Sequence, residues 1–388
     1  MKKKIAILGS TGSIGKTLLK IIKNDIENFK IELLTADTNY KELIKQAKTF
    51  KVKNIIITNN KYFLIAKKNL KNNNINIYNN FDYLKKIFGN KKIDYVMSSI
   101  SGFDGLKPTI DAIKFTKKIA IANKESIICG WSLIKYNIRK YKTKFIPIDS
   151  EHFSIWSLIG STKSKNIEKI FITASGGPFI NYPIKKFKNI LPVQALKHPN
   201  WSMGKKISID SATMMNKVFE IIEAKKIFNL DYNKLEILVH PRSYLHAIVK
   251  FDNGLTKLLI HDTSMKIPIF NSLFTKFENK ITSKQLNIET LNNLSLSRID
   301  VKRFPVTKII KKLSNRESLF ETVIVSANDT LVHLFLNNKI KFNDISKILI
   351  RILNQNEFIK MKFIKVKNVN QITKLSNYVS LKVKSICI

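Results

Sequence analysis

The side chains best suited to chemistry lie between His198 and Glu220, where the sequence reads HPNWSMGKKISIDSATMMNKVFE. Hydroxyl, amide and ammonium groups bind phosphate, and a carboxylate is a ligand for a hard divalent cation. On a helix, Asn216, Lys217 and Glu220 would project from one face. Ser211 would lie near the helix start, where an anion is favoured. The alternative is a Lys217–Glu220 surface pair with Ser211 as the helix cap. Together with its tryptophan loop, the segment predicts a phosphate site beside a metal site.

Two further carboxylates follow a predicted strand. Asp149 and Glu151 belong to the sequence DSEH, directly after the strand Phe145–Ile148. Ligand sites of open α/β sheets lie at the carboxyl ends of the strands. On an extended chain, residues i and i+2 project to the same side, so the two carboxylates can share a cation. Carboxylate-only ligation suits Mg²⁺ or Mn²⁺ better than Zn²⁺, although the same sequence is also typical of a helix N-cap.

A glycine-rich turn near the N-terminus has the features of a dinucleotide-binding loop. Its sequence is GSTGSIG, from Gly9 to Gly15, and it follows an apolar strand and begins a helix. Backbone N–H groups and the helix dipole favour a pyrophosphate there, and glycine allows its close approach. The alternative is a tight strand–helix turn that needs glycine only for packing.

Asp37 lies at the predicted end of the second strand, where dinucleotide folds distinguish NADH from NADPH. A carboxylate at this position accepts a hydrogen bond from the ribose 2′-hydroxyl and repels a 2′-phosphate. Asp37 therefore favours NADH, and the alternative is a solvated turn residue.

The elements that must position these residues alternate in type over the first 150 residues. Apolar strands alternate with amphipathic helices, which is typical of a buried parallel sheet. Two clear helices are Ile14–Ile22 and Tyr40–Thr49. The predicted strands are Lys4–Leu8, Ile31–Ala36, Asn54–Thr58, Ile93–Ile100, Lys118–Ala122 and Phe145–Ile148.

The rest of the chain changes character twice. Residues 150–275 mix helices with strands at Ile167–Thr173, Leu235–Leu238 and Ala247–Phe251. Residues beyond 302 are mainly helical, most clearly over Ser318–Asn337. The sequence thus predicts an α/β protein with four parts: an N-terminal Rossmann-like domain with a doubly wound parallel sheet (1–149), a central α+β domain (150–275), a polar linker (276–302) and a C-terminal helical domain (303–388).

Composition limits the classes of partner. The net charge is +40, but only six of the 68 basic residues are arginine, and the lysines are spread along the chain. A protein that reads nucleic acid would favour arginine, so we predict solvated lysines and no nucleic-acid partner. No apolar run reaches the roughly 20 residues of a membrane span, which predicts no membrane partner. Two cysteines without a CxxC spacing fit a reducing, cytoplasmic compartment.

Taken together, these motifs resemble those of the 1-deoxy-D-xylulose 5-phosphate reductoisomerases. The resemblance runs over nearly the whole chain, and the cassettes around Trp201 and Asn216 are very specific. The motifs that carry it are GSTGSIG (9–15), ANKES (122–126), PIDSEH (147–152), SGGPF (175–179), HPNWSMGKKIS (198–208), DSATMMNK (210–217), HP (240–241) and SAND (326–329).

The resemblance implies conversion of 1-deoxy-D-xylulose 5-phosphate into 2-C-methyl-D-erythritol 4-phosphate, on the non-mevalonate route to isoprenoids. The reaction combines a metal-dependent skeletal rearrangement with reduction by NADPH. It further implies Mg²⁺ or Mn²⁺ as the metal, catalysis and dimerisation in the central domain, and a homodimer.

The resemblance also implies a role for each matching residue. The implied metal ligands are Asp149, Glu151 and Glu220. The implied phosphate ligands are Ser175, Ser211, Asn216 and Lys217. The residues implied to face the rest of the substrate are Lys124, Ser150, Glu151 and His198, with Lys124, Glu151 and His198 as catalytic groups and Trp201 and Met203 in a lid. The implied cofactor contacts are Thr11, Gly12, Ser13, Ile14, Asn39, Asn123, Glu125 and Gly204.

Two segments differ from the family pattern. Asp37 and Thr38 precede Asn39 where the family commonly has glycine and a basic residue, which removes the expected cation for a 2′-phosphate. His261–Pro268 keeps Met265 of a family loop but lacks its glycine and arginine, so contacts near the nicotinamide are expected to differ. The alternative function is that of another NAD(P)-dependent dehydrogenase acting on a phosphorylated sugar or aldehyde, which would not explain three carboxylates and a tryptophan lid.

Overall fold

The predicted alternation of apolar strands and helices is present in the computed structural model. The structure describes residues 2–70, 74–201, 203–274, 279–284 and 288–387. Its strands are β1 (Lys3–Leu8), β2 (Phe29–Ala36), β3 (Asn54–Ile57), β4 (Asn76–Tyr78), β5 (Tyr95–Ser98), β6 (Lys118–Ile121), β7 (Lys144–Pro147), β8 (Ile167–Ala174), β9 (Leu235–Val239), β10 (Leu245–Phe251), β11 (Thr256–Ile260) and β12 (Ser297–Arg298).

The helices fill most of the intervals between these strands and the whole C-terminal region. They are α1 (Ser13–Lys23), α2 (Tyr40–Thr49), α3 (Asn60–Asn69), α4 (Leu84–Phe88), α5 (Leu106–Ile113), α6 (Lys124–Lys140), α7 (Ser150–Ile159), α8 (Pro192–Ala195), α9 (Lys205–Thr213), α10 (Met215–Phe228), α11 (Lys266–Leu273), α12 (Ile288–Asn292), α13 (Phe320–Leu336), α14 (Phe342–Ile352), α15 (Asn356–Ile359) and α16 (Val369–Cys387). None of the helices in the described ranges combines the length and apolarity needed to cross a bilayer.

The chain divides into two units, and unit 1 contains the predicted parallel sheet. Unit 1 comprises Met1–Ser126, Leu133–Asp149 and Met265–Ile281. Its seven strands have the order β4-β3-β2-β1-β5-β6-β7, and every pairing is parallel. Each predicted strand of this region is confirmed to within two residues at either end. The central strand β1 is fully buried from Ile5 to Leu8, as expected for a sheet covered on both faces.

A late segment of the chain completes unit 1. Helix α11 packs against α1. The Phe274 ring lies edge-on to Phe29 with centroids 5.6 Å apart. The hydroxyls of Ser272 and Tyr95 are hydrogen-bonded at 2.7 Å in a buried position. Residues 265–274, which the sequence places in the central domain, therefore share the core of unit 1.

Unit 2 contains a second sheet and the C-terminal helices. It comprises Ile127–Ser132, Ser150–Ser264 and Thr282–Ile388. The sheet order is β11-β10-β8-β9-β12, with β8 and β9 parallel and the other pairs antiparallel. Helix α13 packs against α9, α14 and α16. The predicted strands of this region and the helix within 318–337 are confirmed to within two residues at either end.

The segment predicted as a linker, 276–302, contains regular structure where it is described. It includes α12 and the short strand β12, whose Ser297 and Arg298 pair with Val239 and Leu238 of β9. Residues 276–278 and 285–287 of this prediction lie outside the described residues. The division into functional domains remains a prediction.

Candidate active site

The segment predicted as one helix is two helices joined at Met214. Helix α9 ends at Thr213, Met214 adopts a left-handed conformation with φ of 70°, and α10 begins at Met215. The prediction that Ser211 lies near a helix start is therefore wrong, because Ser211 is in the last turn of α9. The helix start belongs instead to α10, whose first turn contains Asn216 and Lys217.

Three side chains of α10 project together as predicted. The Asn216 amide donates to Glu220 Oε1, and Lys217 Nζ donates to Glu220 Oε2 at 2.6 Å. Lys217 Nζ also donates to Glu151 Oε1 of α7. Lys217 and Glu220 are 7% and 1% exposed, so the alternative of a surface pair is excluded. Glu151, Lys217 and Glu220 form what we call the carboxylate–lysine cluster.

The cluster is an ion-pair network with one cation between two anions. Burial alone would lower the pKa of Lys217, but the charges of Glu151 and Glu220 outweigh burial and raise the pKa above its usual value. With Lys217 protonated, the three side chains carry a net charge of about −1. Oxygens of Glu151 and Glu220 lie within 4.8 Å of one another. This arrangement attracts a cation and offers it oxygen ligands only.

The prediction that Asp149 and Glu151 lie on an extended chain is wrong. The chain is not extended there, because α7 begins at Ser150 and Glu151 lies in its first turn. The Ser150 hydroxyl donates to Glu151 Oε2 at 2.5 Å, and His152 Nε2 lies 2.9 Å from the backbone oxygen of Glu220. These hydrogen bonds hold α7 against α10 and fix Glu151 within the cluster.

Asp149 ends the second segment of unit 1, Leu133–Asp149, and is two positions from Glu151 in the chain. Its Oδ2 accepts a hydrogen bond from Lys124 Nζ at 2.7 Å. Lys124 is the first residue of α6, which the Asn123 side chain caps by accepting from Ser126 N at 2.5 Å. Unit 1 thus pairs a predicted catalytic lysine with a predicted metal ligand.

His198 and Ser175 form a polar pair within unit 2. His198 Nδ1 accepts from the backbone N–H groups of Asn200 and Trp201 at 3.1 and 3.0 Å. The ring proton therefore resides on Nε2, which lies 3.1 Å from Ser175 Oγ. Burial, together with the positive charge of Lys217, lowers the pKa of His198 to about 4. His198 is thus a neutral hydrogen-bond donor near neutral pH.

The Ser175 hydroxyl has its O–H available to donate a hydrogen bond. Its Oγ accepts from His198 Nε2 and from the backbone N–H of Gly177 at 3.0 Å, so both lone pairs are used. A Cβ on Gly177 would lie 2.8 Å from the backbone oxygen of Ser211. Glycine at 177 therefore lets the Ser175 loop approach the end of α9, which brings two of the predicted phosphate ligands into one region.

The predicted lid residues are half-buried. The Trp201 ring lies edge-on to His246 with centroids 6.2 Å apart, and Met203 precedes Gly204, the N-cap of α9. Ser202 lies outside the described residues. The side chain of Asn200 donates to Pro241 O and Ser243 Oγ at 2.6 and 2.8 Å. These hydrogen bonds anchor the loop at the residue before Trp201.

In unit 1, the Gly9–Gly15 turn connects β1 to α1 as predicted. A Cβ on Gly9 would lie 2.8 Å from Ser99 O, and a Cβ on Gly15 would lie 2.5 Å from Ser10 Cα. These two glycines are required for packing. A Cβ on Gly12 would meet only Gly9 O, at an ordinary 3.5 Å. Gly12 is exposed, so its lack of a side chain leaves room outside the turn, which fits a bound dinucleotide.

Most of the remaining predicted cofactor residues lie in unit 1, whereas Gly204 lies in unit 2. Thr11 and Ser13 flank Gly12, and Ser13 and Ile14 begin α1. Asn39 caps α2 by accepting from Glu42 N at 3.3 Å, so its side chain has a structural role. Asn123 has a comparable role at α6, since its amide also donates to Ile100 O and, at 2.8 Å, to Gly102 O. Glu125 is half-buried in the first turn of α6.

Comparison with known proteins places the chain in a family. Profiles described as 1-deoxy-D-xylulose 5-phosphate reductoisomerase and its C-terminal domains match residues 5–130, 145–228 and 261–379. The enzyme of that name from Pelagibacter ubique is 67% identical over 387 residues, covering 100% of both chains. The enzyme of that name from a Sulfurihydrogenibium species is 37% identical over 358 residues, covering 92% of each. This chain belongs to the 1-deoxy-D-xylulose 5-phosphate reductoisomerase family.

Solved structures of reductoisomerases have the same fold. The Zymomonas mobilis enzyme in complex with NADPH is 30% identical with a TM-score of 0.88, covering 100% of this chain and 99% of that one. A reductoisomerase in complex with NADPH, fosmidomycin and magnesium is 29% identical with a TM-score of 0.87, covering 99% and 97%. The predicted fold class is thereby confirmed.

Two residues that support the reductoisomerase site were not predicted from the sequence. Thr35 ties β2 to the glycine turn, because its Oγ1 accepts from Gly9 N and its carbonyl accepts from Ser10 N, both at 2.9 Å. Asn200 anchors the tryptophan loop, as described above. Thr35 gives no signal in a single sequence, since threonine in a strand is ordinary. The position of Asn200 between Pro199 and Trp201 is a signal in the sequence that could have indicated its anchoring role.

Proposed function

We propose that this chain converts 1-deoxy-D-xylulose 5-phosphate into 2-C-methyl-D-erythritol 4-phosphate, as a step of the non-mevalonate route to isoprenoids. The reaction rearranges the carbon skeleton and then reduces the resulting branched aldehyde with NADPH. The single observation that supports this most strongly is the carboxylate–lysine cluster in a chain that is 67% identical to a reductoisomerase over its full length. The complexes of relatives with NADPH and magnesium support the same cofactors here.

We assign Asp149, Glu151 and Glu220 as the ligands of Mg²⁺ or Mn²⁺. The donor set fits such an ion because it is made of carboxylate oxygens, with Glu220 buried and Glu151 half-buried in a cluster of net negative charge. The ion, when bound, supplies Lewis-acid polarisation of the substrate oxygens. Asn216 and Lys217 hold Glu220 in place from its own helix, and Ser150 holds Glu151.

We assign Ser175, Ser211, Asn216 and Lys217 to the substrate phosphate. Ser175 contributes a hydroxyl whose lone pairs are already used, so that it donates to an anion. Lys217 contributes a positive charge, because its raised pKa keeps the amine protonated at neutral pH. Binding of the phosphate supplies energy that positions the reacting carbons.

Lys124, Ser150, Glu151 and His198 are proposed to face the reacting part of the substrate. Lys124 is held by Asp149, which fixes a protonated amine that can stabilise negative charge or return a proton. His198, with its low pKa, acts as a neutral donor rather than as a cation. Trp201 and Met203 are proposed to close over the substrate and exclude water.

NADPH supplies the hydride and is proposed to bind unit 1 at the Gly9–Gly15 turn. Thr11, Ser13 and Ile14 lie at the start of α1 and are proposed to offer backbone N–H groups, whereas the Gly12 N–H donates to Gly9 O at 3.2 Å and Gly12 is proposed to leave room for the pyrophosphate. The other proposed cofactor contacts are Asn39, Asn123, Glu125 and Gly204. We also propose that the chain forms a homodimer and acts in the cytoplasm, as predicted from the sequence.

The test is an assay of the purified protein with 1-deoxy-D-xylulose 5-phosphate, NADPH and Mg²⁺ or Mn²⁺, followed by NMR of the product. We expect one NADPH to be oxidised per substrate, a branched carbon skeleton in the product, and loss of activity in excess chelator. An unbranched product would instead support the phosphosugar dehydrogenase. Unchanged activity in chelator would refute the metal assignment.

A further inference from the structure

The far end of the proposed dinucleotide site carries a fixed negative charge at Asp37. This residue directly follows β2, at the same sheet edge as the Gly9–Gly15 turn that follows β1, because the two strands are parallel neighbours. The turn is joined to β2 through Thr35, two residues before Asp37, by hydrogen bonds to Gly9 N and Ser10 N. The position of Asp37 relative to the proposed pyrophosphate turn is therefore set by direct contacts.

The Asp37 side chain is also held in one orientation. Its Oδ1 accepts from the Thr58 hydroxyl at 2.8 Å, and Thr58 N donates to Ala36 O at 3.2 Å. Tyr40 and Tyr62, at the starts of α2 and α3, stack with centroids 5.6 Å apart. These contacts join the ends of β2 and β3 and leave Asp37 exposed at that edge.

No lysine or arginine among the described residues forms an ion pair with this carboxylate. Neither a lysine nor an arginine nitrogen of the described residues lies within 4.0 Å of Asp37, and Thr58 is its one hydrogen-bond partner there. The neighbouring Thr38 is uncharged. A ribose 2′-hydroxyl can donate to the remaining carboxylate oxygen, whereas a 2′-phosphate carries nearly two negative charges and is repelled.

We infer that Asp37 sets the choice between dinucleotides and admits NADH to this site as a second hydride donor alongside NADPH. The inference rests on the proposed function, since it needs the Gly9–Gly15 turn to hold the pyrophosphate. The repulsion between the carboxylate and a 2′-phosphate at this exposed position is worth about tenfold in affinity.

The test is direct binding of NADPH and of NADH to the protein without substrate, measured by calorimetry. Wild type is expected to bind the two within about threefold of one another. Asp37→Asn keeps the acceptor for Thr58 but removes the charge, so it should shift the affinity ratio about tenfold towards NADPH. Glu27→Gln is the matched control, because it removes one negative charge in the 3₁₀ turn before β2, at the opposite sheet edge.

The possible results separate the inference from the function on which it rests. A wild-type preference for NADPH of tenfold or more would overturn the inference, as would equal ratios in wild type and Asp37→Asn. In both cases dinucleotide binding, and with it the proposed function, would stand. Failure of both dinucleotides to bind would instead refute the proposed role of unit 1.

Discussion

The carboxylate–lysine cluster of unit 2 and the glycine turn of unit 1 are built in opposite ways. The cluster consists of charged side chains that are largely withdrawn from water, and its chemistry depends on their number and sign. The turn offers backbone groups at an exposed edge, and it depends on side chains being absent. A change of charge should therefore disable the first region, and an added methyl group should disable the second.

The largest expected effect is in the cluster. Glu220→Gln removes a proposed metal ligand but leaves Lys217 paired with Glu151, so the fold should persist. We expect turnover to fall about a thousandfold, in the range seen when one group that stabilises transition-state charge is removed. Steady-state kinetics and thermal unfolding would measure the two effects.

Two companion variants sharpen that expectation. Glu168→Gln removes an exposed carboxylate of unit 2 that pairs with Lys250 at the surface, and it should leave turnover within twofold.

Lys217→Met removes the cation between two carboxylates and should cost about 3–5 kcal/mol of unfolding free energy. Normal turnover in Glu220→Gln would show that the site has been assigned wrongly.

A smaller effect should separate two glycines of the turn. Gly12→Ala adds a methyl group that meets only Gly9 O, at an ordinary 3.5 Å, so it should weaken NADPH binding at least tenfold with stability changed by less than about 0.5 kcal/mol. Gly15→Ala forces a methyl group against the Ser10 backbone and should cost about 1–3 kcal/mol of stability. Calorimetric binding and urea unfolding would distinguish them, and equal losses of stability would contradict this division.

The smallest effect concerns His198 and the pH dependence of stability. In the unfolded chain the imidazole binds a proton near its usual pKa of 6.5, whereas in the folded chain it does so only near 4. The unfolded state therefore binds more protons between these values, so this contribution to stability is present above 6.5 and is lost as the pH falls towards 4. His198→Gln should show a shallower loss of unfolding free energy over that window. Parallel pH curves for the variant and wild type would show that His198 is not responsible.

The sequence predicted most of the parallel sheet because the signal is local. Continuous apolar runs bounded by turns locate β1, β2 and β3 directly, and their burial on both faces explains the lack of alternation. Strand β12 was missed for the converse reason. Its two residues are exposed and polar, and only pairing with β9 makes them a strand.

The candidate site was predicted in its composition but not in its geometry. The types and spacing of Asn216, Lys217 and Glu220 indicated one helical face, and the structure brings these side chains together. The break at Met214 could not be predicted, because methionine is a good helix former and rarely adopts a left-handed conformation. The pairing of Lys217 with Glu151 depends on α7 lying against α10, which is a tertiary contact between residues distant in the sequence.

The docking of α11 within unit 1 has a consequence for biosynthesis. The strands of the parallel sheet have all been synthesised by Pro147, but the helix that covers Phe29 and Tyr95 follows only after more than a hundred further residues. At ribosomal rates of roughly 5–20 residues per second, that interval is on the order of ten seconds. During this time the nascent sheet lacks part of its cover, so apolar surface of unit 1 is exposed to aggregation until α11 has been synthesised.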